Sequence, residues 1–248
     1  MSLVVEPLAG TDVVRVSRWI FNCYVVPGDD GPVVVDAGLP GAAEDLAPVL
    51  AGSRGALQAV VATHGHSDHV AGAARLAARH GGAPVHLPET TLTYLSGATP
   101  RTPTGRAVAS IWPTLVDQRP DARAVRGLTA GARTAGFGTT RGMVWTGPAP
   151  AGGLADGRPL PGASAWTVLA VPGHTDDSVA FWHAGTRTLL SGDAVLSARG
   201  RAWLTPELVD SGAARTSAAR LLELPVHHLL PGHGRPVHGD DVWAHRRR

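Results

Sequence analysis

Apolar runs along this chain come in two kinds, and their length and flanking turn residues separate strands from helices. Short β-branched runs open the sequence: "LVVEPL", "DVVRVS" and "WIFNCYVVPGDDGPVVVDAG". In the third, "PGDDGP" closes a hairpin between two apolar strands. Next, "GAAEDLAPVLAG" predicts a helix and "LQAVVATHGH" a strand. A helix from about Val70 to His80 follows, ended by Gly81 and Gly82, and then the strand "APVHLPE". Strands resume at "AWTVLAVPGHT" and "DSVAFWHAGTRTLLSGDAVL", and an amphipathic helix at "SGAARTSAARLLEL" leads into "PVHHLLPGHG". A hairpin whose second strand stops on an aspartate beside glycine occurs twice, as "YVVPGDDGPVVVDAG" and "VAFWHAGTRTLLSGD". The echo predicts two related α/β halves.

Between the halves, from about 96 to 161, the composition turns to Pro, Gly, Ala, Thr and Arg, with "RAVASIWPTLVDQ" and "DARAVRGLTAGAR" as short helices. Unstructured stretches longer than about 12–15 residues are uncommon unless functional or disordered. This one also carries Ile111, Trp112, Leu115, Phe137, Met143 and Trp145, too much apolar material for a solvated linker. It reads as an insertion within one domain spanning 1–248, either a lid or a contact between copies. "GFGTTRG" within it has the wrong spacing for a dinucleotide loop and follows no clear strand.

Composition narrows the class. At 248 residues, 44% hydrophobic and 17% charged, the chain can bury one large core. No apolar run approaches the ~20 residues that span a bilayer, and the start "MSLVVEPLAGTDVVRV" has neither a basic head nor a cleavage site. A cytoplasmic protein is expected. The formal charge is +2 and every basic residue other than histidine is Arg, scattered among acids. No basic stripe exists for a phosphate backbone, so neither nucleic acid nor membrane is an expected partner. Cys23, alone, excludes an internal disulfide and reads as a buried thiol.

The chemistry concentrates in "THGHSDHVAG", where His64, His66, Asp68 and His69 are separated by small residues between a strand and a helix. Side chains two apart on an extended segment share a face, so His64 and His66 can meet one ion. Asp68 and His69 are adjacent and need the helical turn that follows, which frees them for a second ion. A catalytic zinc usually takes three protein ligands and leaves a position for water. Two ions therefore need about six ligands, or seven donors with a bridging carboxylate. Three further strand ends stop on Gly and a ligand-type residue: "VPGH" at His174, "LSGD" at Asp193 and "LPGH" at His233. With them the set reaches seven.

These residues resemble the metallo-β-lactamase fold superfamily, whose "HxHxDH" motif stands here as His64, His66, Asp68 and His69. The resemblance covers about Phe21 to Val237 and implies an α/β fold, an αββα sandwich of two mixed β-sheets flanked by helices. It assigns His64, His66 and His174 to one metal, Asp68, His69 and His233 to a second, and Asp193 to the bridge. Asp36 in "VVVDAG" becomes the partner that holds a ligating imidazole. Two divalent ions are implied, zinc first and iron or manganese as alternatives. They share a water whose pKa falls from 15.7 towards ~7, so a bridging hydroxide attacks a carbonyl while Asp68 and Asp193 serve the catalysis.

An aspartate at 193, where zinc β-lactamases commonly carry Cys or Ser, is similar to the glyoxalase-II-like and lactonase-like branches. After His233 only "GRPVHGDDVWAHRRR" follows, short of the helical domain with which glyoxalase II binds glutathione. Leu196 stands where acyl-homoserine lactonases have Tyr. The expected activity is hydrolysis of an ester, thioester or lactone of a small molecule. A mononuclear iron enzyme resembling persulfide dioxygenases is the alternative, and a phosphodiesterase comes third. The insertion is expected to close over the metal edge, with Trp112 and Trp145 against the substrate.

Overall fold

The computed structural model describes residues 3–38, 41–118, 120, 122, 123, 125–127, 129, 142 and 144–247. Its first sheet takes seven strands in chain order: β1 (Val4–Leu8), β2 (Val13–Arg18), β3 (Phe21–Pro27), β4 (Pro32–Val35), β5 (Ala59–Val61), β6 (Val85–Pro88) and β7 (Gly152–Leu154). Hairpins join β1 to β4, which pair antiparallel. From β4 onward the pairing is parallel, and parallel neighbours need crossovers. Helix α1 (Ala42–Gly52) makes the first, α2 (Ser67–Val70) with α3 (Ala73–Arg79) the second. The third contains α4 (Glu89–Leu95), α5 (Gly105–Ser110) and α6 (Trp112–Asp117).

The second sheet holds β8 (Pro159–Leu160), β9 (Ala163–Ala170), β10 (Val179–His183), β11 (Thr188–Gly192), β14 (His228–Pro231) and β15 (Val237–His238). Its spatial order is β15-β14-β11-β10-β9-β8, with β11 and β14 parallel. A ribbon of β12 (Val195–Ala198) and β13 (Arg201–Leu204), then helix α7 (Ser211–Leu222), carry the chain from β11 to β14.

Alternation along each strand turns this topology into layers. Val33 and Val35 of β4 meet Trp166, Val168 and Phe181 between the sheets, while Val34 turns to Leu46 of α1 and Leu76 of α3. In β11, Leu190 enters the inter-sheet core and Leu189 packs towards Leu221 of α7. Helices thus cover both outer faces, and the sandwich is α, β, β, α. Strands buried on both sides explain the continuous apolar runs. Phe181 is fully buried, where truncation to Ala costs about 3–5 kcal/mol. Cys23 is a buried free thiol, and burial pushes its pKa up.

Two expectations need correcting. The helix foreseen over Val70 to His80 is two helices, α2 and α3, because the His69 carbonyl accepts from Ala37 N at 2.8 Å instead of continuing one helical ladder. The stretch 96–161 is not one insertion: β7 is the last strand of the first sheet and β8 the edge of the second. Phe137, Met143 and most of "GFGTTRG" lie outside the described residues. Among the described residues, no helix is long and apolar enough to cross a membrane.

Candidate metal centre

Strand ends build the site. Past β4, Asp36 takes a left-handed turn (φ 58°). Past β5, the chain bends through 63–65, His66 is extended (φ −63°, ψ 143°) and α2 begins; the His64 and His66 rings meet with centroids 4.5 Å apart. The turn of α2 then swings Asp68 and His69 in. Facing them, the second sheet sends His174 after β9, Asp193 after β11 and His233 after β14.

Glycines precede these residues for a steric reason. A Cβ on Gly192 (φ 49°) would stand 2.7 Å from Thr63 Cβ, and one on Gly232 would stand 2.4 Å from Asp193 Oδ1 and 2.8 Å from His69 Cε1. Across the sandwich, Asn22 Nδ2 donates to the carbonyls of Pro231 and Gly234 at 2.8 and 2.7 Å. Tyr24 Oη donates to Pro231 O at 2.7 Å. The His233 loop is therefore tied to β3 of the opposite sheet.

All seven predicted ligand residues come together. Donor atoms of His64, His66 and His174 lie within 4.8 Å of one another, as do those of Asp68, His69 and His233, and those of His64, His69 and Asp193. Asp193 Oδ2 is 3.5 Å from His174 Nε2 and 3.1 Å from His233 Nε2, so it reaches both main groups. Asp68 Oδ2 is 3.1 Å from His233 Nε2. Asp36 binds outside the cluster: its carboxylate accepts from Thr63 N, Thr63 Oγ1 and His69 Nδ1, each at 2.8 Å. His174 Nδ1 donates to the Glu207 carbonyl at 2.9 Å. These outer bonds leave Nε2 of His69 and of His174 for the centre.

The donors fit divalent ions. His64 Nε2, His69 Nε2 and Asp193 Oδ1 are buried with no hydrogen-bond partner, a costly state unless something else satisfies them. Imidazole and carboxylate donors are what zinc and iron take. The two groups differ in charge. Burial drives His64 far below the ordinary histidine range and pulls His66 down to about 3, helped by neighbouring imidazoles. In the second group burial opposes the charged forms, but carboxylates and imidazoles offset it mutually. Asp68 falls to about 2, His69 is raised by Asp36, Asp193 and Asp68, and His233 is pushed up to about 10 by Asp193 and Asp68.

Above the cluster lies a cavity of about 330 Å³. Trp19, Ile20 and Phe21 form one wall, and Thr102, Pro103, Val108, Ile111 and Leu115 form the cover. The cover is pinned on three sides. Trp19 Nε1 donates to Leu115 O and Gln118 O at 3.2 and 3.0 Å, Thr114 Oγ1 donates to Ser197 O, and Arg101 pairs with Asp176 and Asp210. Neither predicted tryptophan lines the cavity. Trp145 is buried in the helix-side core of the first sheet, its Nε1 donating to Pro148 O at 2.7 Å. Trp112 is 55% exposed, because in α6 its neighbours Ile111 and Leu115 take the inward positions.

Sequence reading missed several residues here. Buried Asp177 accepts from Gly65 N at 2.9 Å and Thr91 Oγ1 at 2.6 Å, holding the loop between His64 and His66. Glu207 lines the cavity, and Asn22 and Tyr24 anchor His233. Asn22, a polar break inside the apolar run "FNCYVV", was a signal that could have been read; nothing in "LTPELVD" marked Glu207. The seven histidines given no role (80, 86, 183, 227, 228, 238 and 245) fall outside all three groups.

Comparison with known proteins agrees with this architecture. The family model of the metallo-beta-lactamase superfamily matches residues 18–233. The probable metallo-hydrolase YflN of Bacillus subtilis (strain 168) is 26% identical over 242 residues, covering 89% of this chain and 83% of its own length. The crystal structure of TTHA1623 in a di-iron-bound form superposes with a TM-score of 0.59 at 25% identity, over 96% of this chain and 94% of that one. A metallo-beta-lactamase from Pontibacter korlensis shares the fold, with a TM-score of 0.62 at 17% identity over 98% and 96% of the two chains.

Proposed function

The chain belongs to the metallo-beta-lactamase superfamily, and on that premise we propose that it is a two-ion hydrolase of a small-molecule ester, thioester or lactone. The observation that carries the reading is the pair of complete three-residue groups with Asp193 between them. His64, His66 and His174 would hold one ion and Asp68, His69 and His233 the other. Bound there, a pair of divalent ions supplies a water of lowered pKa and polarises a carbonyl oxygen.

The chain's own residues do the rest. Asp36 fixes the His69 tautomer through Nδ1, and the Glu207 carbonyl does the same for His174, so both rings present Nε2. Asp68 is also the group we assign to orient the proton released from water, through the carboxylate oxygen turned away from His233. Phe21, Ile111 and Leu115 hold the body of the substrate against the cluster and keep bulk water from it. Zinc suits the donors, and the di-iron form of TTHA1623 makes iron the alternative. The apolar walls favour an acyl compound over a phosphodiester, since no Arg lines the cavity among the described residues.

Elemental analysis followed by an ester, thioester and lactone panel on the same sample tests the reading. Two ions per chain, turnover on one substrate class, and its loss after chelation with recovery on adding ion are expected. A single iron with oxygen consumed on a persulfide would overturn it.

A further inference from the structure

Glu207 sits in the link between β13 and α7, and that link is tied to the His174 loop. Val209 N and Asp210 N both donate to Gly173 O, at 2.9 and 3.1 Å, and Thr205 N donates to Ala194 O at 3.3 Å. With the Glu207 carbonyl on His174, the residue is held in register with the cluster. The residue is buried and its side chain lines the cavity beside His174, Asp193, Asp68 and His233. Among the described residues no hydrogen bond or ion pair reaches its carboxyl. Outside the seven ligand-type residues it is the only charged side chain in the described lining.

A carboxyl that opens onto the cavity with no protein donor keeps its acceptor capacity for whatever enters there. Trp19, Phe21, Val108, Ile111 and Leu115 present apolar surface. What completes the site is a donor brought by the ligand. We propose that Glu207 is the specificity-determining residue of the cavity: its carboxyl receives an N–H or O–H donor of a substrate whose remaining body is apolar, and it turns away substrates with a further anionic group. The scissile bond rests on the hydrolase reading above; the recognition of the donor does not.

The test uses the ion-loaded full chain and a set of six-carbon thioesters and esters. Each carries an amino group, a hydroxyl, a carboxylate or no substituent, at each chain position in turn. At one position the amino or hydroxyl member should exceed the unsubstituted parent in kcat/KM by about tenfold or more, as one hydrogen bond to a charged group provides. The carboxylate member should fall below the parent. Glu207→Leu should bring the ratios to within about twofold of one another. Glu207→Gln should keep a hydroxyl preference, because its amide oxygen still accepts, and lose an ammonium preference; either pattern upholds the role and identifies the donor. Equal values across the wild-type set, or unchanged ratios in a folded Glu207→Leu, would overturn it. So would loss of an ion from both variants by elemental analysis, which would make Glu207 a prop of the ion site. If nothing is turned over, the hydrolase reading fails by itself, and calorimetry with methyl ketones of the same series decides the rest. Tighter binding of donor-bearing ketones to wild type than to Glu207→Leu upholds recognition; equal affinities overturn it.

Discussion

Two groups of ligand-type residues lie side by side here and are built on opposite electrostatic plans. His64, His66 and His174 are imidazoles, and burial holds the first two neutral. Asp68, His69 and His233 alternate acid and base, and His69 is further engaged by Asp36. His64 and His66 carry no charge of their own, and His64 Nε2 is left unpaired. In the second group, His233 Nε2 faces Asp68 and Asp193 at 3.1 Å each and His69 Nδ1 faces Asp36 at 2.8 Å. An ion in the first group would satisfy His64 Nε2, whereas one in the second would satisfy His69 Nε2 and replace the proton that His233 Nε2 shares with Asp68 and Asp193. Asp193 is where the two plans meet.

Asp193→Ala should have the largest effect. Among the described residues it removes the carboxylate that reaches both groups, so ion content should fall below two per chain and turnover should drop by more than the ~10–100-fold typical of an outer partner. Elemental analysis beside kinetics checks this, with circular dichroism to show that the fold persists. Retention of both ions with near-normal rate would dissolve the bridge.

Next come His66→Ala and His233→Ala, each expected to lose one ion and to lose different ones. Cobalt-loaded spectra of the two variants should differ, each lacking the bands the other keeps. If either change empties both groups, they are one cooperative site and the contrast between them fails.

Asp36→Asn is expected to be milder. It removes the acceptor from His69 Nδ1 while leaving every direct donor, so affinity at the acidic group should weaken about 10–100-fold and the all-histidine group should hold its ion. Competition with a chelator reads both stages. A uniform loss across both stages would mean that Asp36 supports the whole loop rather than one ring.

The smallest effect belongs to the cover. Ile111→Ala should raise KM several-fold with ion content intact, whereas Trp112→Ala, at an exposed position, should change kinetics little. The reverse order would mean that the cover turns over when substrate binds.

The ligand set was readable because its chemistry is rare and its punctuation is steric: Gly192 and Gly232 precede ligands since no Cβ fits there. The pocket was not readable. Trp112 and Trp145 drew attention by size, yet size says nothing about orientation, and α6 turns Ile111 and Leu115 inward instead. Glu207 and Asp177 owe their positions to backbone ties between distant segments, such as Gly173 with Val209, which leave no local pattern. The division of 67–79 into two helices depends on a carbonyl taken by Ala37, a contact no periodicity encodes.

His64 and His233 are 169 positions apart (233 − 64), and the donors they belong to come from opposite sheets. During synthesis, the four donors of the first sheet exist long before the three of the second. Closing so distant a loop is slow, and its entropy is repaid only when the sheets pack. On the two-ion reading, loading is a late event that reports on assembly itself. A nascent or damaged chain can offer at most a partial, weak set of donors, whereas a chain that retains ions against a chelator has already brought its two halves together.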